Sequence, residues 1–394
     1  MPRRLAHLTI VGVAVLGMHA NHARAQRAPG RDYYVFVASE STDRIALVRF
    51  GPKGAAIVRE VTTGIMPADI DGPHGLAVSP DGRYYYATTA HGTPSGLLWK
   101  YSTANDSLLG TVPLGNFPAT LQLTPDGEFA YVVNFNLHGD MVPSSVSIVA
   151  TGEMIEVARV TTCTMPHGSR ITADGTRQYS ACMMDDMMVE IDTRTFGVAR
   201  HFMLNRGKEY GMSGAPARHA TAVPDGNPGR DAGGHGMHGP KPGDVSCSPT
   251  WAQPSADGSR VFVACNKSSE IVEVDVGRWA VTRRIPAGDG VYNLATTKDG
   301  RLLVATNKRS ASVSVIEIST GKELARLPTK RKVVHGAAVS ADDRYAFITV
   351  EGIGSEPGTV EMIDLKALKT IASVDVGQQA GGIDFWKMEP AGSK

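Results

Sequence analysis

The chain lacks any run of 18 apolar residues in its 394, so no membrane-spanning helix is expected. It also lacks an excess of either charge: 40 Lys and Arg stand against 39 Asp and Glu, a formal net charge of +1. That balance excludes a nucleic-acid binder held by a broad basic surface. No nucleophile elbow, phosphate-binding loop or dinucleotide fingerprint occurs. No Cys-x-x-Cys-His occurs either, which excludes covalent attachment of a c-type haem. What is present is an ordinary apolar fraction, 42%, with 43 Gly and 23 Pro. That excludes wholesale disorder and leaves length for a large core.

Arg3 and Arg4 precede an apolar stretch from Leu5 to Met18, and Ala23-Arg24-Ala25 is a small-x-small cleavage pattern. Residues 1–25 therefore read as a secretory signal peptide, followed by a linker over 26–32 and a periplasmic or secreted mature chain. Loss of Arg3, Arg4 and Arg24 would take the formal charge from +1 to −2.

One pattern then recurs: a short apolar strand, Ser/Thr-x-Asp-Gly, and a second strand rich in Tyr, Val and Ala. HGLAVSPDGRYYYATTA from His74 and ATLQLTPDGEFAYVVNF from Ala119 are two copies. The marker residues are Asp81, Asp126, Asp174, Asp257, Asp299 and Asp342, at spacings of 45, 48, 83, 42 and 43. In the last copy Asp343 stands where the others have Gly. Asp-Gly between two strands is hairpin chemistry, since Gly accepts the positive φ of a tight turn. A period in the forties with four short strands per unit predicts an all-β, seven-bladed β-propeller with four-stranded blades over residues 33–387. Six blades are visible. The seventh is assembled from Gly381–Trp386 as innermost strand with Tyr33–Ala38, Ile45–Phe50 and Ala56–Thr62. Closure by both ends of the chain hides the edges of an open ring. Residues 388–394 read as a tail. The 83-residue gap holds an insertion over 205–244, rich in Gly and Pro and containing GGHGMHGPKPG, which reads as a long irregular loop.

Tyr131-Val132-Val133-Asn134 nearly matches the YVTN repeat, with Val304-Ala305-Thr306-Asn307 and Val263-Ala264-Cys265-Asn266 as degenerate copies. The chain resembles the YVTN-repeat β-propeller family. More distantly it is similar to the propellers of nitrous oxide reductase, of haem-binding nitrite reductase and of lactonases. Such a resemblance implies a fold, not a reaction, because these relatives do different chemistry on one scaffold.

The four cysteines follow the repeat register. Cys182 and Cys265 each end the second strand of a blade, while Cys163 and Cys247 lie just before the innermost strand. The pairs Cys163–Cys182 and Cys247–Cys265 are thus the same staple in neighbouring blades. An oxidising compartment would form both.

The histidines carry the functional argument. Seven residues before each marker Asp stand His74, Ala119, His167, Thr250, Tyr292 and His335, with Gly381 as the seventh. These positions ring the central channel on one face. His74, His167 and His335 are each followed by Gly. Three imidazoles from separate blades can converge on one ion and leave an open position. The loops after the second strands lie on the same face and add His91, His138, Met183, Asp185 and Glu351; the insertion adds His235, Met237 and His238. Imidazole with thioether favours copper, then iron, over calcium or magnesium. The alternative cofactor is a haem-type group with one axial His. Tyr292 is the candidate catalytic residue, placed to exchange a proton or an electron. His-Gly also has a purely structural reading, in which the imidazole satisfies backbone groups and Gly permits close approach.

Three functions follow: a copper- or iron-dependent oxidoreductase acting on a small molecule or redox partner protein, a non-catalytic binding propeller, or a lactonase-like hydrolase built on Glu351 and Asp185.

Overall fold

The computed structural model describes residues 29–64, 69–91, 96–216 and 246–392. Within them the chain is a ring of seven antiparallel sheets, with one three-residue 3-10 turn, Glu40–Thr42, as its only helical element. The fold is the expected all-β, seven-bladed propeller. No helix among the described residues is long and apolar enough to cross a membrane. Blades 1 to 6 begin with the innermost strands Pro73–Val78, Pro118–Leu123, Pro166–Ile171, Pro249–Pro254, Val291–Thr296 and Val334–Val339. Each of these touches the next around the axis. The closing blade places Ala380–Pro390 innermost, against Arg31–Ser39, Arg44–Gly51 and Gly54–Thr62. Arg31 pairs with Pro390, so this last strand runs past the expected end of the propeller and takes in part of the presumed tail.

Burial explains the sequence pattern. Second strands such as Leu302–Asn307 are buried along their whole length, because a neighbouring blade covers each face. Their residues are therefore apolar or small throughout. Outermost strands such as Lys322–Pro328 alternate exposed and half-buried positions, since only one face packs.

The turn motif is a fixed device. Ser79 Oγ donates to Asp81 Oδ1 at 2.6 Å, and Arg83 N donates to the same oxygen at 3.0 Å. Thr124–Asp126, Thr172–Asp174, Ser255–Asp257 and Thr297–Asp299 repeat the hydroxyl bond. Gly82 then takes φ 69°. In the sixth blade Asp343 adopts φ 57°, and its carboxylate has another task. It accepts from Lys298 N at 2.7 Å and Asp299 N at 2.9 Å, joining the turns of two adjacent blades.

Both disulfides form as expected, Cys163–Cys182 and Cys247–Cys265. The insertion departs from its expected irregularity at the start: Tyr210–Ser213 adds a fifth strand to blade 3. Its residues are exposed, and besides backbone pairing the strand is held by Gly211, which lies against the Trp279 ring with no room for a Cβ. Asp186 ties the two ends of the insertion together, accepting from Asn205 Nδ2, Ser246 Oγ and Ser248 N.

Candidate functional site

A cavity of about 480 Å³ opens at the mouth of the central channel. It is lined by His74, His167, His335 and Tyr292 from the innermost strands, and by His91, His138, Met183 and Glu351 from the loops after the second strands. Every one of these was placed on that face by repeat register. His235, Met237 and His238 lie outside the described residues.

The His-Gly pairs sit in a bulge at the entry of their strands, where register shifts fall between Pro73 and Leu76, Pro166 and Ser169, and Val334 and Ala337. His74 Nδ1 lies 3.0 Å from Ala119 O, and His167 Nδ1 lies 3.0 Å from Thr250 O. Each carbonyl belongs to the residue of the same register in the next blade. A Cβ on Gly75 would stand 2.5 Å from Ala119 O, on Gly168 2.3 Å from Thr250 O, and on Gly336 2.5 Å from Gly381 O. The structural reading of His-Gly therefore holds: the glycine lets adjacent strands meet, and two of the imidazoles bridge them.

That bridge also sets the chemistry of the outer ring nitrogen. A carbonyl can only accept, so Nδ1 carries the proton and Nε2 of the neutral ring is an acceptor facing the cavity. The Tyr292 hydroxyl donates to His167 Nε2 at 3.0 Å. His74 Nε2 has the Glu40 carboxylate at 4.0 Å, and His335 Nε2 has that of Glu351 at 3.8 Å. Ring centroids are 5.4 Å apart for His74 and His335 and 6.3 Å apart for His74 and His167.

Two charged residues of the cavity escaped the sequence reading. Glu40 is buried, and its carboxylate accepts from His91 Nε2 at 2.5 Å. Lys308 Nζ donates to Glu351 Oε1 at 2.9 Å and stands 4.5 Å from the centre of the Tyr292 ring. Both residues immediately follow a second strand, the register that yields Glu351. The signal was there; a search for imidazole and thioether passes over a lone carboxylate and an ammonium.

Burial works to raise the Glu40 carboxyl, but His74, His91 and Lys308 outweigh it and hold it below the usual carboxylate range. The same carboxylate raises His91. Burial, reinforced by the Lys308 charge, holds His335 well below the usual imidazole range. Burial pushes the Tyr292 phenol up to about 12. Lys308 would be lowered by burial, but Tyr292, Glu351 and Glu40 reverse the balance and keep it charged.

These contacts bear on the expected copper site. Among the described residues no group of three or more His, Cys, Asp or Glu is disposed to hold a metal ion. The three imidazoles do share one cavity, yet His167 Nε2 is engaged by Tyr292 and an ammonium sits where a further cation would be repelled. A three-histidine copper centre thus finds no support in this geometry. Asp185 is not a cavity residue; its carboxylate accepts from Thr164 N at 2.7 Å. The lactonase-like reading loses one of its two carboxylates. Met187 and Met188 pack in the core.

A family model described as the cytochrome D1 heme domain matches residues 297–388. That segment carries Lys308, His335, Glu351 and Gly381 of the cavity. No curated protein matches the chain. Among solved structures, hydrazine synthase of Kuenenia stuttgartiensis aligns with a TM-score of 0.60 at 18% identity, over 82% of this chain and 91% of that one. A functionally unknown protein from Desulfotomaculum acetoxidans DSM 771 aligns with a TM-score of 0.63 at 13% identity, over 90% and 98%. These identities establish a shared fold.

Proposed function

We propose that the channel mouth binds a haem-type cofactor, which His74 Nε2 would hold, in a propeller that works in an oxidising compartment. The observation that carries this reading is the state of His74. Its Nδ1–H is fixed on Ala119 O, which leaves Nε2 as the ring nitrogen that faces the cavity. A hydrogen-bonded partner on the far nitrogen is the usual support of a metal-bound imidazole. The wall around it suits an organic group better than a bare ion: Phe117 and Phe135 line the cavity, whose volume is in the range that takes a small organic ligand. A single axial imidazole also needs no three-donor cluster. The match of the cytochrome D1 heme domain model to residues 297–388 supports the same group. The two disulfides support the compartment.

When bound, such a group would supply one-electron chemistry. The chain's own residues would tune that chemistry. Tyr292 holds a proton at Oη against His167 Nε2. Lys308 and Glu351 form a charge-balanced pair beside it. His91 and Glu40 form a second pair beside His74. A small-molecule substrate would enter between these pairs.

The test is absorption spectroscopy on protein purified from the periplasm without an affinity tag, and on the same protein titrated with haemin. The expected result is a Soret band near one cofactor per chain, lost in His74→Ala and retained in Tyr292→Phe. Colourless protein that ignores haemin but takes up one copper per chain, with nitrogen ligands in its spin-resonance spectrum, would overturn it in favour of a bare-ion site.

A further inference from the structure

Inward from the imidazoles the channel narrows to a recess of about 30 Å³. His74, His335 and Gly381 line both this recess and the mouth cavity, so the one continues from the other. The recess also meets Arg170 of blade 3, Trp251 of blade 4 and Asn293 of blade 5. Arg170 is a cation without a counter-ion in hydrogen-bond reach. Its guanidinium makes one hydrogen bond, from Nη1 to Ser169 O at 2.9 Å. A guanidinium carries five N–H donors, so most of them remain for a ligand. Asp384 acts on Arg170 through space, but its carboxylate is taken by Val78 N at 2.8 Å and Phe385 N at 2.9 Å. Burial lowers Arg170 to about 10, which leaves it charged at neutral pH.

Two further groups on this wall want a partner. The guanidinium carbon lies 4.4 Å from the centre of the Trp251 ring. Trp251 Nε1 is buried and has no hydrogen-bond acceptor, in a residue 3% exposed. An indole N–H can only donate. The side-chain amide of Asn293, also 3% exposed, makes no hydrogen bond among the described residues at either end. Its Nδ2 can therefore turn into the recess. Orphaned buried groups of this kind are uncommon, and three residues of three consecutive blades bring their donors to one place.

We infer that the recess binds one small inorganic anion of halide size, held by the Arg170 guanidinium, Trp251 Nε1–H and Asn293 Nδ2–H. A cation there would be repelled by Arg170. A water would meet the donors but leave the buried charge unbalanced. An organic acid exceeds the volume, which suits one or two atoms. The Asp384 charge opposes the anion, yet burial raises its carboxyl and so tempers that opposition. The bound anion neutralises Arg170 and bridges blades 3, 4 and 5 at the axis, so ring stability is linked to its concentration. This goes beyond the cofactor reading and holds whatever the mouth binds.

The test uses the full chain without added cofactor, with sodium bromide replacing sodium gluconate at constant ionic strength. As bromide rises, the wild type is expected to gain thermal midpoint relative to Arg170→Gln, which loses the response. Trp251→Phe keeps the charge and an aromatic ring beneath it but removes one donor, and its response is expected to weaken. Crystals grown in bromide are expected to show one anomalous scatterer within hydrogen-bond distance of the Arg170 guanidinium and Trp251 Nε1. Should Arg170→Gln fail to fold, Trp251→Phe and the scatterer decide. A recess holding water alone, or an equal bromide response in wild type and Trp251→Phe, would overturn the inference. A scatterer in the crystal with no bromide response in solution would mark an adventitious ion only, and overturns it too. Because no haemin enters these measurements, failure here is distinct from failure of the haem reading.

Discussion

The Tyr292 hydroxyl and His167 Nε2 close a hydrogen bond of 3.0 Å between two blades that are not neighbours in the ring. It turns one of three equivalent imidazoles into an acceptor for a phenol. The three-fold repetition in the sequence thereby becomes three different environments: His167 on Tyr292, His74 beside Glu40, His335 beside Glu351.

Tyr292→Phe removes the phenol's hydrogen bond to the buried His167 Nε2. The expected loss is about 1–3 kcal/mol of unfolding free energy, measured by denaturant titration against the wild type.

The His91–Glu40 pair predicts a bounded pH optimum for stability. The His91 pKa is raised on folding, so its contribution is present below the unfolded value, near 6.5, and fades as pH rises through the folded one. Glu40 is lowered, so its contribution is present above about 4.5 and fades as pH falls through the folded value. Glu40→Gln is expected to flatten both limbs in a plot of Tm against pH. An unchanged profile would mean the pair does not form.

Gly168→Ala forces a Cβ to 2.3 Å from the Thr250 carbonyl and against the Trp251 ring. Overpacking of this kind costs about 1–3 kcal/mol, and here backbone must move. Gly152→Ala meets nothing within 4 Å and is the matched control. Calorimetry should show a lowered Tm for the first substitution only.

Asp343→Gly restores the repeat consensus and relieves a positive φ of 57°. It nonetheless removes both acceptors for Lys298 N and Asp299 N. The bonds outweigh the relief, so the consensus residue is expected to destabilise the chain by about 1 kcal/mol in denaturant titration.

The fold was legible because its turn chemistry is repeated: hydroxyl, Asp and Gly at fixed offsets mark each hairpin whatever the strands contain. The register of His74, His167 and His335 followed from the same count, as did both disulfides. What the count cannot supply is distance across the axis. Tyr292 and His167 are 125 residues apart, and nothing local announces their bond. The preference for copper arose from counting residue types, whereas Lys308 and Tyr292 decide how many of those donors are available. Tyr210–Ser213 was unreadable for another reason: a strand with every side chain exposed leaves no apolar period.

The closing blade has a consequence for how the mouth is completed. Glu40 N donates to Gln379 O at 3.1 Å, and Ser41 Oγ to Gln379 Oε1 at 2.5 Å, so the first loop is held by the approach to the final strand. Glu40, Gln379 and Gly381 all line the cavity. A polypeptide that stops short of Gln379 therefore has every histidine of the cavity yet leaves its wall unfinished, because the two ends complete it only by zipping together.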